Sequence, residues 1–155
     1  MENWNSPVET EVHRSLAASL FNFTWDLMEK AQRSADEDRL MVHAAHASRF
    51  HWQVAGAPVN WARGEWQLSR VYWMLGRAQE AREAAQASLN LCENHDLGPF
   101  DTAFAHEALA RALALLGRSD DKTRHVAIGR RLAALMPAGG DRQWVEDNLA
   151  EAAAL

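Results

Sequence analysis

The chain matches itself when it is shifted by 41 residues, and this internal repeat constrains the fold more than any other feature. The segment from Gly64 to Leu91 predicts a helix, a stop at Gly76 and a second helix that runs back. Eight identities between the second and third hairpins are in this register: Pro58 and Pro99, Ala62 and Ala103, Leu68 and Leu109, Arg70 and Arg111, the Leu-Gly-Arg turns at 75–77 and 116–118, and Leu91 and Leu132. A repeat of two helices predicts a stack of helical hairpins, because one hairpin cannot bury its apolar face alone.

Helix caps and breakers extend this prediction to the whole chain. Ser6 and Glu9 form a Ser-x-x-Glu box that predicts the start of a first helix running to about Gln32. Ser34 and Glu37 repeat the box before a second helix. We therefore expect an all-α, single helical-repeat domain over 1–155. It has three antiparallel hairpins at about 6–55, 58–95 and 99–137, with turns near Ala35, Gly76 and Gly117, and a seventh, capping helix at 141–154.

The spacing of apolar residues predicts which face of each helix is buried. The predicted stripes are Leu16, Leu20, Phe23 and Leu27 in the first helix, Ala81, Ala85, Ser88 and Cys92 in the fourth, and Ile128, Leu132 and Leu135 in the sixth. The seventh helix runs through Trp144, Val145, Leu149 and Ala152. The small residues of the fourth helix predict a close approach of neighbouring helices. The seventh helix is expected to cover the last apolar face of the stack.

Composition argues against several classes of function. The formal charge of −5 has both signs interspersed, so the basic footprint of a nucleic-acid-binding protein is absent. The sequence has neither a secretory leader pattern nor the roughly 20 apolar residues that cross a bilayer, so we expect a cytoplasmic protein without a membrane partner. The single cysteine, Cys92, is predicted to be a small buried side chain.

Tryptophan is unusually frequent. The seven are Trp4, Trp25, Trp52, Trp61, Trp66, Trp73 and Trp144. A short stack cannot easily bury all of them, and aromatic rings that remain at a surface commonly anchor an interface.

The second hairpin resembles a tetratricopeptide repeat. The residues that carry this resemblance are Leu68, Ser69, Tyr72, Gly76 and Ala81, and the third hairpin keeps Leu109, Ala110 and Gly117. The resemblance covers about residues 58–136. The chain departs from the family in its period, 41 residues instead of roughly 34, and in having Glu65 where the family has tryptophan.

The resemblance implies that the first helix of each hairpin lines a concave, peptide-binding groove. Counted back from the turn glycine, the groove positions are Arg63, Trp66, Arg70 and Trp73 in the second hairpin, Phe104, Glu107, Arg111 and Ala114 in the third, and Asn22, Trp25 and Glu29 in the first. Free guanidiniums between indoles predict a ligand segment that carries a carboxylate. In the alternative interpretation Arg70 and Arg111 are solvated, or pair inside the stack with Glu107 and Glu29.

Two other functions remain open from the sequence. His43 and His46, with Asp26 or Glu29, are candidates for a metal or small-ligand site, although His46 and His51 lie about 140° apart on a helical wheel and do not converge. The surplus tryptophans would also suit a homodimer.

No enzyme and no cofactor are expected. Cys92 and His95 lack an orienting third group, and glycines occur at turns instead of in a phosphate-binding loop.

Overall fold

The computed structural model describes residues 5–155, which form seven α-helices and no β-strand. The helices are α1 (Thr10–Met28), α2 (Ala35–Ala55), α3 (Pro58–Met74), α4 (Ala78–Asn94), α5 (Pro99–Leu115), α6 (Ser119–Ala134) and α7 (Gly140–Ala154). Trp4, one of the candidate interface tryptophans, lies outside the described residues.

Consecutive helices pack against each other as a stack of hairpins. The hairpins are α1–α2, α3–α4 and α5–α6, and they join through contacts between α2 and α3 and between α4 and α5. Helix α7 packs on α5 and α6, as predicted for a helix that covers the end of the stack. The all-α hairpin architecture predicted from the repeat is therefore confirmed.

The repeated Leu-Gly-Arg turns have the same backbone conformation. Gly76 has φ 71° and Gly117 has φ 70°, values in the left-handed region that glycine adopts without a steric penalty. The N–H of Arg77 donates to the carbonyl of Tyr72 at 2.9 Å, and that of Gly76 to the carbonyl of Trp73 at 3.0 Å. The same two bonds, with the same lengths, recur 41 residues later. They satisfy carbonyls at the helix end and turn the chain back into a hairpin.

The first hairpin agrees with the predicted caps at only one of its two helix starts. The capping box of Ser34 is present and begins α2. The predicted box at Ser6 does not form, because Ser6 Oγ instead makes a hydrogen bond with His13 Nε2 at 2.6 Å and α1 begins after Glu9. Helix α1 also ends at Met28, before the predicted end at Gln32.

The small-residue stripe of α4 is buried as predicted. The hydroxyl of Ser88 donates to the carbonyl of Ala62 at 2.9 Å. The carbonyl of Ala81 in turn accepts from Ser69 Oγ at 2.7 Å. Close approach of α3 and α4 brings these side chains within reach of the neighbouring backbone.

The predicted buried faces of α1 and α6 are wrong in part. Leu16 and Phe23 are exposed, while α1 buries His13, Ala17, Thr24, Leu27 and Met28. Leu135, directly after α6, is 74% exposed, and the buried residues of α6 are Val126, Gly129 and Ala133. In both helices, small or hydrogen-bonded side chains such as Ala17, Thr24 and Gly129 take part of the place of the predicted leucine stripe, and they let the backbones approach more closely.

Satisfied hydrogen bonds explain how α1 buries polar residues. His13 Nδ1 shares a hydrogen bond with His51 Nδ1 at 2.7 Å, and Thr24 Oγ1 donates to the carbonyl of Leu20 at 2.8 Å. Ser48 of α2 donates to the carbonyl of Ala17 at 2.8 Å. Because each polar atom has a partner, burial of this face avoids the cost of an unsatisfied group.

Candidate functional site: an aromatic groove

Helices α1, α3 and α7 line an open groove of about 640 Å³. Four tryptophans meet there: Trp25 from α1, Trp66 and Trp73 from α3, and Trp144 from α7. The remaining lining residues are Met28, Glu29, Arg70, Met74, Asp147, Asn148 and Glu151. The groove combines aromatic walls with charged side chains, the mixture found in sites that bind and orient a ligand.

A smaller and mainly apolar pocket of about 220 Å³ adjoins the groove. It shares Trp25, Trp66 and Trp144 with the groove. Its other lining residues are Phe21, Ala62, Arg63, Ser88, Phe100, Asp101 and Phe104.

Aromatic contacts link the helices around this pocket. Ring centroids are 5.6 Å apart between Trp25 and Trp66, 5.5 Å between Trp66 and Phe104, and 4.8 Å between Phe104 and Trp144. Tilted and edge-to-face pairs at these distances are favourable. The rings therefore hold α1, α3, α5 and α7 around one aromatic surface.

The structure divides the predicted groove residues. Trp25, Glu29, Trp66, Arg70 and Trp73 line the groove, whereas Asn22 and Ala114 line neither the groove nor the adjoining pocket. Arg63 and Phe104 line the adjoining pocket. Glu107 and Arg111 of α5 are buried, with 0% and 3% exposure, and contact the groove residues from below.

Glu107 is the centre of a hydrogen-bonded ion network. Its Oε1 accepts from Arg70 Nη2 at 3.1 Å and from Arg111 Nε, and its Oε2 accepts from Trp66 Nε1 at 3.3 Å. Arg70 also donates to Asn148 Oδ1 at 2.9 Å. A buried carboxylate requires partners of this kind, since an unpaired buried charge costs several kcal/mol.

Arg111 completes the network on the side of α7. It donates to Glu151 Oε2 at 3.0 Å, and its guanidinium lies 4.9 Å from the centroid of the Trp73 ring. Arg70 lies 5.5 Å and 5.7 Å from the ring centroids of Trp66 and Trp73, at distances suited to cation–π contact. Burial lowers the pKa of Arg70, and the charge of Glu107 opposes that shift.

The expectation of free guanidiniums in the groove is therefore not met. Of the interpretations open from the sequence, pairing inside the stack is correct for Arg70 and Arg111, but their partners are Glu107 and Glu151 and not Glu29. Arg63 is paired as well, because its Nε and Nη2 donate to the two carboxylate oxygens of Asp101 at 2.7 and 3.1 Å.

Sequence reasoning missed the contribution of α7 to the groove. Trp144, Asp147, Asn148 and Glu151 all line it, although this helix was predicted only to cover the end of the stack. Their spacing of three, one and three residues places them on one helical face, at about 100° per residue. The buried Val145, Leu149 and Ala152 occupy the adjacent face. The helical spacing of these two sets of residues is the sequence signal that could have indicated a second functional face on α7.

The histidine alternative gains no support from the geometry. His46 Nε2 makes a hydrogen bond with Tyr72 Oη at 2.6 Å, and His43 is exposed. Within residues 5–155 no three His, Cys, Asp or Glu side chains are grouped so that they could hold a metal ion. Cys92 is buried as predicted, and burial raises the pKa of its thiol to about 11, which disfavours the reactive thiolate.

Comparisons with protein-family models, curated proteins and solved structures find no match for the chain. None of the helices described has the length and apolar character needed to span a membrane.

Proposed function

We propose that this chain is a protein-binding module of the tetratricopeptide-like type, which holds a segment of a partner protein in the aromatic groove. The observation that carries the proposal is the meeting of four tryptophans from three helices around a groove open to solvent. Tryptophan is enriched among the residues that contribute most to protein interfaces. Trp144 remains 47% exposed, so its ring is available to a partner.

The dimensions of the site also support the proposal. A groove of about 640 Å³ falls within the range of ligand sites, and the adjoining pocket of about 220 Å³ is smaller than that range. We therefore assign the groove to a stretch of polypeptide and the pocket to one apolar side chain that anchors it.

The repeat architecture supports the tetratricopeptide-like assignment. The turns that close the second and third hairpins are the same, and α1 and α3, the first helices of two hairpins, line the groove, as the family that the sequence resembles would have it. The longer period and the wall formed by α7 distinguish this chain from that family.

The proposal can be tested with a displayed library of short random peptides. Peptides that bind the full chain are selected, and their affinities are then measured. The informative variant is Trp144→Ala, and its matched control is Leu135→Ala, which removes an exposed apolar side chain that lines neither cavity. We expect selected peptides to bind Trp144→Ala at least about tenfold more weakly, since a hot-spot residue contributes about 2 kcal/mol or more. Leu135→Ala should bind as the unmodified chain does.

Two results would contradict the proposal. One is that no peptide is enriched, and the other is that the enriched peptides bind both variants equally. A concentration-dependent mass that rises to that of a dimer, and that Trp144→Ala abolishes, would instead favour the homodimer interpretation.

A further inference from the structure

We infer that the segment held in the groove carries a basic side chain, a lysine or an arginine, next to its apolar anchor. This inference deepens the proposed function and rests on it. It replaces the carboxylate-bearing ligand that the sequence suggested. Two observations support the inference. The arginines of the groove are paired with carboxylates of the same chain, and two further carboxylates of the groove have no cationic partner.

The positive charges of the groove are already compensated. Arg70 and Arg111 face the carboxylates of Glu107 and Glu151. Because Glu107 and Glu151 already balance these two cations, a ligand carboxylate would bring a further negative charge into a groove whose positive charges are compensated.

The uncompensated charges of the groove are negative. Glu29 at the end of α1 and Asp147 in α7 both line the groove and both are exposed. Within residues 5–155 the carboxylate of Glu29 makes no hydrogen bond or ion pair, and that of Asp147 accepts only from the neutral Gln143, at 2.8 Å. Two guanidiniums, Arg70 and Arg111, against four carboxylates therefore leave two negative charges, one at the end of α1 and one on α7.

The tryptophans favour a cation at the same place. The exposed ring of Trp144 and the half-buried ring of Trp25 line the same groove as these two carboxylates. Indole faces attract cations, and two carboxylates within the same groove add a Coulomb attraction. Charge complementarity thus selects a basic segment of a partner protein over an acidic one.

The adjoining pocket does not alter this preference for a basic segment. Its two charged residues, Arg63 and Asp101, form a bidentate pair with each other, so they contribute no net charge. The rest of the lining is mainly aromatic. A phenylalanine, leucine or methionine side chain suits the pocket, and the adjoining groove receives the basic side chain.

Three matched libraries of short, end-capped peptides test the inference. Every peptide contains one phenylalanine, and the neighbouring positions hold lysine in the first library, glutamine in the second and glutamate in the third. Retention on the immobilised full chain is measured by mass spectrometry at about 0.02 M and about 0.5 M salt. We expect lysine peptides to be retained about fivefold to tenfold better than glutamate peptides at low salt, and the difference to shrink at high salt.

Charge variants of the protein locate the effect. In Glu29→Gln/Asp147→Asn the preference for lysine should disappear while dependence on phenylalanine remains. In Glu29→Lys/Asp147→Lys the preference should reverse. The matched control is Glu83→Gln/Asp120→Asn, which removes the same net charge from exposed positions that line neither cavity, and it should keep the preference of the unmodified chain.

The outcomes separate this inference from the proposed function. Retention that requires Trp144 but is equal for lysine and glutamate peptides, or stronger for glutamate, would overturn the inference and leave the function standing. No retention from any library would overturn both. A preference for lysine that the control variant also loses would assign the effect to overall charge and would overturn the inference as well.

Discussion

The indole N–H of Trp66 donates to the carboxylate of Glu107 at 3.3 Å, and these two residues are 41 positions apart. They therefore occupy equivalent positions in successive hairpins. Trp25 lies 41 residues before Trp66, and its ring centroid is 5.6 Å from that of Trp66. The repeat thus places three equivalent residues next to one another, and this row crosses the stack from the groove to the buried ion network.

Glu107 is expected to be essential for stability. Glu107→Gln leaves Arg70 buried without its carboxylate, so the free energy of unfolding should fall by about 3 kcal/mol. Urea unfolding of the purified chain measures this change, with Glu83→Gln as the control for loss of an exposed carboxylate. A loss of less than about 1 kcal/mol would show that the network contributes little to the fold.

Arg70→Glu is expected to destabilise the fold. The side chain of Arg70 is 13% exposed and contacts Glu107, so the substitution places two carboxylates together in a nearly dry site. We expect a loss of about 3 kcal/mol or more in the same unfolding measurement. Arg63→Gln, which breaks the half-exposed pair with Asp101, should cost no more than about 1 kcal/mol. Equal losses in the two variants would contradict this ranking.

Gly129→Ala should destabilise the packing of α6 against α7. A Cβ at this position would lie 2.6 Å from Cδ2 of Leu149, which is fully buried. Alanine normally stabilises a helix interior by about 0.5–1 kcal/mol relative to glycine, but here we expect a net loss of about 1 kcal/mol from overpacking. Gly140→Ala is the matched control, because a Cβ there meets no atom within 4 Å. Thermal unfolding compares the two variants, and a Gly129→Ala protein as stable as the control would refute the expectation.

Acid should weaken the contact between α5 and α6. Burial, together with the neighbouring His125 and Arg131, lowers the pKa of His106 to about 4. His106 Nδ1 shares a hydrogen bond with His125 Nδ1 at 2.8 Å, and burial lowers the pKa of His125 too. Below about pH 6.5 the unfolded chain binds a proton at His106 while the folded chain does not. The contribution of neutral His106 to the free energy of unfolding is therefore fully present above that pH and is lost as the pH falls towards 4.

The size of this effect follows from the shift. His106 alone should contribute a loss of about 2 kcal/mol between pH 7 and pH 4.5. Urea unfolding at several pH values should therefore show a shallower pH dependence for His106→Gln than for the unmodified chain. Parallel curves would mean that His106 titrates equally in both states.

The sequence predicted the hairpin stack because its signals are local. A glycine that must take a positive φ, a serine that caps a helix and a 41-residue period act through neighbouring backbone atoms or through repetition. The groove positions came instead from the resemblance to a tetratricopeptide repeat, counted back from the turn glycines, and of these Trp25, Glu29, Trp66, Arg70 and Trp73 line the groove. Helix faces were less predictable, as Leu16 and Phe23 show, because a polar residue such as His13 can be buried when a distant partner satisfies it.

By itself, the sequence determined seven helices, their turns and the row of residues that repeats through the stack. Only the tertiary structure decided the charge of the groove. Whether Arg70 is free or paired depends on the position of Glu107 in the next hairpin and of Asn148 in α7, 37 and 78 residues away. The energy of an ion pair depends on the distance between the two charges in space and not on their separation along the chain, so no local sequence pattern reveals the pair.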